Sequence, residues 1–293
     1  MPFPTRLYLV EDLFAVGSVN LIAGMSGAGK TKFMFQIVEE LEKQKSLLNF
    51  KLLQQIRCKY FAFDRSQAAC WDILNRMSCF PSCEIISKFS STKSFDDIAM
   101  PTDQEIGDAN FVILDGFDFV VKGNVIDLRT VGKLMFDCNR LAERLGICIL
   151  GALGTAKVKS GDGYEHPRER IIGSSAWARL SETILLMYKP SAPDSKPSER
   201  IIEILTRNSS EFSINLAFNE QGRLVPTIMS EPSTTEYKFL NSLPDSFTSR
   251  EAEDIGLSLG IKRSLVFQII KQLTEQRLVS SIARGLYKRS KVN

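Results

Sequence analysis

Short apolar runs alternate with longer helical-period segments from Ser18 to about Leu186. Ser18–Ala23 (SVNLIA) predicts a strand, and Lys30–Gln44 a helix with Phe33, Ile37, Val38 and Leu41 on one face. Lys59–Phe63 (KYFAF) predicts a second strand, with a helical segment around Ala68–Met77 after it. Phe111–Leu114 (FVIL) predicts a third, followed by a helix from about Leu128 to Leu145. Ile147–Leu150 (ICIL) and Ser181–Met187 (SETILLM) predict the fourth and fifth. Apolar strands spaced by amphipathic helices imply an α/β fold whose mostly parallel sheet is covered on both faces.

The pattern then changes. Lys189–Glu199 (KPSAPDSKPSE) holds three prolines and predicts an exposed loop. Ile201–Leu205 and Phe212–Leu216 predict a terminal antiparallel pair. Pro226–Thr235 (PTIMSEPSTT) is polar and proline-containing, the composition of an interdomain linker, which divides the chain into residues 1–228 and 232–293. Thr234–Tyr287 predicts three short helices ending in a hairpin-like stretch. No internal repeat is present.

Composition narrows the class. Hydrophobic residues at 44% and charged residues at 24% are globular values and exclude a disordered or fibrous chain. Apolar runs such as Ile147–Leu153 are far short of a membrane span. Glu11 and Asp12 lie where a signal peptide needs an apolar stretch, so a cytoplasmic protein without a membrane partner is expected. The six cysteines fit reduced thiols at this length, and a lone histidine, His166, completes no zinc site.

The net charge of +3 hides an asymmetry. Residues 1–231 carry 27 basic and 28 acidic side chains, whereas residues 232–293 carry ten and six. From Lys262 onward the balance is eight to one, which points the C-terminal part towards nucleic acid.

The chemistry concentrates in Gly24-Met25-Ser26-Gly27-Ala28-Gly29-Lys30-Thr31, a full match to G-x-x-x-x-G-K-[ST]. Glycines let backbone N–H groups turn inward around a phosphate. Lys30 reaches the β/γ oxygens, and the Thr31 hydroxyl completes a Mg²⁺ shell. The helix that begins there adds the positive end of its dipole. Gly24, Ser26, Gly27, Ala28, Gly29, Lys30 and Thr31 are therefore the expected contacts of ATP. Asp115, ending the third strand, is the expected second Mg²⁺-side group, with Asp118 as an alternative.

With these residues assembled, the chain resembles the RecA-like ATPases, and most of all the RepA-type hexameric replicative helicases of plasmids and phages. The resemblance runs from about Leu9 to Asn219. It rests on the glycine-rich loop, Tyr60–Ser66 (YFAFDRS), Phe111–Gly116, Ile147–Lys157 (ICILGALGTAK) and Gly173-Ser174-Ser175-Ala176. It implies that Asp64 stands where the family has a catalytic glutamate; a cap on the following helix is the other reading. Leu153-Gly154 replaces the family's polar sensor, with Thr155 and Lys157 just beyond. Arg207, in ILTRN, matches a finger presented to the neighbouring subunit's nucleotide, although a solvated edge-strand arginine fits as well. Ser209 occupies the family's second basic position.

The resemblance also implies single-stranded DNA passing through loops 120–129 and 157–170. The candidate contacts there are Lys122, Lys157, Lys159, Arg168 and Arg170. The C-terminal segment resembles a winged helix-turn-helix, with Thr248, Ser249 and Glu251 at a helix start, Gly256 to Gly260 as the turn and Arg284-Gly285 as the wing tip. Val266, Ile269, Ile270 and Leu273 would bury one face, leaving Lys262, Arg263, Lys271, Arg284 and Lys288 for duplex DNA. Protein docking is the other use of such a module. The implied function is an ATP-dependent, ring-forming DNA helicase or translocase acting in replication of a mobile element, plasmid or virus. A filament-forming recombination or annealing ATPase is an alternative, as is a nucleotide-switched DNA-binding regulator or loader with weak hydrolysis.

Overall fold

The computed structural model describes residues 6–43, 46–48, 50–92, 94–155, 171, 174–190, 195–207, 212–227, 234–261, 263–275, 278–283 and 285–289. The chain divides into two compact units. One comprises Met1–Glu211 with Leu216–Val225, the other Phe212–Asn215 with Pro226–Asn293.

Strands β1 (Tyr8–Val10) and β2 (Phe14–Ala15) form a short antiparallel hairpin. β3 (Ser18–Gly24) enters the main sheet and α1 (Lys30–Lys43) follows. A ribbon of β4 (Ser46–Leu47) and β5 (Phe50–Lys51) leads to β6 (Cys58–Ala62) and α2 (Gln67–Arg76). Next come β7 (Glu84–Ser87), α3 (Lys88–Ser91) and α4 (Asp103–Ile106). β8 (Phe111–Asp115), α5 (Leu128–Leu145), β9 (Cys148–Leu153), α6 (Ala176–Leu180) and β10 (Thr183–Tyr188) complete the alternation. β11 (Glu199–Thr206), β12 (Phe212–Phe218) and β13 (Leu224–Pro226) follow.

The nine-stranded sheet has the order β7-β6-β8-β9-β3-β10-β11-β12-β13. β7 through β10 run parallel, and β11 returns antiparallel to β10. The fold is therefore mixed α/β around a mostly parallel sheet. β3, β8 and β9 are buried at every position, as strands covered on both faces must be. Gly151 in β9 has no room for a side chain: an added Cβ would lie 2.3 Å from the Phe117 ring, which packs edge-on against Trp177.

α1 is buried beyond the single face its periodicity predicts, because Met34, Phe35, Gln36 and Glu39 are enclosed as well. Phe35 stacks on Tyr60 of β6 at 4.3 Å. The Gln36 amide donates to the Leu224 carbonyl (2.6 Å) and accepts from the Leu224 N–H (2.8 Å), clamping β13. Glu39 accepts from Lys43, the Phe80 N–H and Arg223. Burial alone would raise its pKa, yet these donors hold it at about 2 against an ordinary 4.5. The folded value lies below the unfolded one, so the stabilisation is full above about pH 4.5 and is lost as pH falls towards 2. Glu39→Gln is expected to lower stability at pH 7 by about 1–2 kcal/mol, a figure discounted for the solvent that reaches Lys43. Acid unfolding followed by circular dichroism should then show a flatter loss of stability between those two pH values.

The smaller unit contains α7 (Thr234–Ser242), β14 (Ser246–Thr248), α8 (Ser249–Ser258), α9 (Arg263–Glu275), β15 (Val279–Ala283) and β16 (Leu286–Arg289). Its strands make an antiparallel sheet of order β14-β16-β15. Val266, Ile269, Ile270 and Leu273 of α9 are buried together with Phe239, Leu243 and Phe247. The expected helix start is a capping box, in which the Thr248 hydroxyl accepts from the Glu251 N–H and the Glu251 carboxylate accepts from the Thr248 N–H.

Several expectations need correction. Gly256 does not open a turn. It lies inside α8, where an added Cβ would meet Val266 at 2.2 Å, and the turn falls at Gly260, whose φ is +76°. Ser181 does not begin a strand, because α6 intervenes and the Ser181 hydroxyl donates to the Trp177 carbonyl. Pro226 still belongs to β13 and Thr234 already to α7, while residues 228–233 of the expected linker lie outside the described residues. Among the described residues no helix is long and apolar enough to cross a membrane.

Candidate functional site

The carboxyl ends of parallel strands are where α/β sheets bind ligands, and here β3, β6, β8 and β9 converge on one cavity of about 780 Å³. Gly24 ends β3 so close to β10 that an added Cβ would meet the Met187 carbonyl at 2.5 Å. Gly27 and Gly29 take φ of +75° and +107°, which side-chain-bearing residues rarely adopt. The loop tightens through the Ala28 N–H donating to the Met25 carbonyl (3.1 Å), and α1 begins at Lys30.

Lys30 Nζ donates to the carbonyls of Gly24 (2.6 Å) and Met25 (3.3 Å). Burial lowers its pKa, while the carboxylates of Asp115, Asp118 and Asp64 pull it back up. The Thr31 hydroxyl donates to Asp115 Oδ2 (2.8 Å), an oxygen that also accepts from the Tyr60 hydroxyl (2.8 Å). Asp115 is only 3% exposed. Burial raises its pKa, with Arg65, Tyr60 and Thr31 opposing the rise.

A hydroxyl beside a buried carboxylate at a helix N-terminus is a hard-oxygen donor set, and it fits Mg²⁺, which takes one or two protein ligands and completes its shell with phosphate and water. Such a site needs no cluster of three acids, and the described residues contain none. Thr31 and Asp115 would hold the ion.

Asp64 lines the same cavity. It does not cap α2, because Ser66 does so by accepting from the Ala69 N–H (3.2 Å). Instead both Asp64 oxygens are bound by Arg65, through Nε (2.8 Å) and Nη2 (2.7 Å). Arg65 Nε also lies 3.5 Å from Asp115 Oδ2. Leu153, Gly154 and Thr155 line the cavity from the end of β9.

Sequence reasoning missed Arg65, Tyr60, Arg200 and Phe218. Arg200, at the start of β11, is 5% exposed and donates to the loop carbonyls of Ala28 (2.7 Å) and Gly27 (3.4 Å). Its guanidinium carbon lies 4.8 Å from the Phe218 ring centroid. That ring closes over Gly29, where an added Cβ would meet it at 2.4 Å. Only Tyr60 and Arg65 had a detectable signal, being inside a stretch that already held Asp64.

Other expected residues fall elsewhere. Met187 pairs with Gly24 at the loop end of β10, whereas Thr206 of β11 pairs with Thr183 at its opposite end. Arg207 therefore lies at the end of the sheet opposite its own chain's glycine loop, with its N–H on the Glu182 carbonyl and its guanidinium on the Arg179 carbonyl. Lys122 is exposed and donates to the Asp96 carbonyl. Arg263 pairs with Glu253 (2.8 Å), and Lys288 is exposed on β16. Lys271 belongs to α9. Lys157, Lys159, Arg168, Arg170, Lys262 and Arg284 lie outside the described residues.

Compared with known proteins, the chain matches no family model and has no significant match among curated proteins.

Proposed function

We propose that this chain is a Mg²⁺-dependent nucleoside triphosphatase of the RecA-like class. The observation that carries the reading is the hydrogen bond between Thr31 and Asp115, residues 84 apart in sequence, in a cavity that also holds Lys30 and Asp64. Backbone N–H groups of residues 26–31 and the Lys30 ammonium bind the phosphates of ATP. Thr31 and Asp115 would hold Mg²⁺, which when bound would neutralise phosphate charge. Asp64 is the candidate base. It takes the proton of the attacking water as that oxygen bonds to the γ-phosphorus and the bond to the β–γ bridging oxygen breaks, releasing ADP and phosphate.

Within that class the reading is a ring-forming DNA helicase or translocase of a replicating element, most simply a homohexamer. Support comes from Arg207, which lies towards the end of the sheet opposite its own site, and from the basic smaller unit. Three helices with a three-stranded antiparallel sheet suit a winged helix whose α9 enters duplex DNA, with Arg263, Lys271 and Lys288 as candidate contacts. The arms of the DNA loops that would grip a single strand include Lys122 and the residues around Lys157.

A second reading is favoured by one contact: Arg65 engages both oxygens of Asp64, as suits a nucleotide-switched DNA-binding regulator with slow turnover. Native mass measured with a non-hydrolysable ATP analogue, alongside ATP-driven unwinding of a forked duplex, separates the two. A closed ring that unwinds supports the helicase. ATP binding with negligible turnover in the presence of DNA supports the switch and overturns the motor.

A further inference from the structure

Arg65 is the one cationic side chain among the described residues that pairs with both Asp64 and Asp115, two of the three aspartates lining the cavity. Its guanidinium grips Asp64 in a two-pronged pair and reaches Asp115 Oδ2 at 3.5 Å. Its backbone is fixed independently of that contact. The Ser87 hydroxyl at the end of β7 donates to the Arg65 carbonyl (2.8 Å), and the next residue, Ser66, caps α2. The side chain is thus an arm on a fixed mount that lines the cavity and is a quarter exposed.

A guanidinium fork matches carboxylate and phosphate oxygens with the same geometry, and the more highly charged phosphate competes well for it. We infer that Arg65 senses the terminal phosphate in cis, exchanging its bond to Asp64 for one to the γ-phosphate of a bound nucleoside triphosphate. This inference rests on the cavity being a nucleotide site. One movement then has two effects: it places positive charge on the phosphoryl group and frees the Asp64 oxygens to face water. A diphosphate has no γ-phosphate to offer, so Arg65 keeps its hold on the acids. The chain would distinguish tri- from diphosphate within one subunit, before any neighbour contributes.

The test is equilibrium binding of fluorescent ADP and of a fluorescent non-hydrolysable ATP analogue to the full chain, both with Mg²⁺. Wild type is expected to prefer the triphosphate, and Arg65→Ala to lose that preference by about tenfold, the scale of one bidentate charged contact. Arg65→Lys should restore part of it, because a point charge remains without the fork. Arg65→Gln serves if the alanine variant fails to fold, and thermal melting shows whether either does. An unchanged preference in a folded variant overturns the inference, as does an equal gain in affinity for both nucleotides, which would mean simple occlusion. Wild type that binds neither nucleotide overturns the nucleotide-site reading itself.

Discussion

Lys30→Ala is expected to lower ATP turnover by about 10²–10³-fold, the cost of removing one preorganised charge from a developing phosphoryl transition state. The Lys30 ammonium lies among Asp115, Asp118 and Asp64, and among the described residues its hydrogen bonds go to the carbonyls of Gly24 and Met25. Its loss therefore removes positive charge from the cavity while leaving the loop's backbone hydrogen bonds and the Thr31–Asp115 contact in place. Thermal unfolding should shift little, and single-turnover hydrolysis should carry the whole effect. Fork unwinding should disappear in the same variant. Turnover within about threefold of wild type in a folded Lys30→Ala protein would place the phosphate site elsewhere.

The parts of this site that were legible in the sequence are those that repeat a local rule. The glycine-rich loop reads directly because backbone conformation at Gly27 and Gly29 dictates residue type. The strands bearing Gly24, Asp115 and Leu153 read as uninterrupted apolar runs because they are buried on both faces. β7 did not, since four residues at a sheet edge carry too few positions to show a period. The short α6 did not either, since five residues make little more than one helical turn and show no period.

Arg200 and Phe218 were illegible for a different reason. They reach the loop because β10 joins β3 and β11 joins β10, an order of strands that no spacing in the chain discloses. Arg200 meets Ala28 across 172 residues. Arg65 was in plain view beside Asp64, but a neighbour in sequence reveals nothing about whether its side chain turns into the cavity or out of it. The consequence is chemical. Asp64 does not face the cavity unaccompanied, because Arg65 holds both of its oxygens.

Arg207→Ala, assayed alone and then mixed with Lys30→Ala, is expected to give the clearest sign of shared sites. Each variant alone should be nearly inactive, the first by about 10³-fold if its guanidinium serves as a finger in trans. Thr206 pairs with Thr183 whereas Gly24 pairs with Met187, so Lys30 and Arg207 lie towards opposite ends of the same sheet. In a ring of head-to-tail subunits each site takes its lysine from one chain and its arginine from the next. An Arg207→Ala subunit keeps an intact Lys30, and a Lys30→Ala subunit keeps an intact Arg207. In a random equal mixture about one quarter of the interfaces then unite both, and ATP turnover should rise to roughly that fraction of wild type. Activity confined to the sum of the two separate variants would show that Arg207 serves no neighbour. Its bonds to Glu182 and Arg179 would then be its whole role, pinning the end of β11, an inner strand between β10 and β12 and not the edge strand expected, to the start of β10.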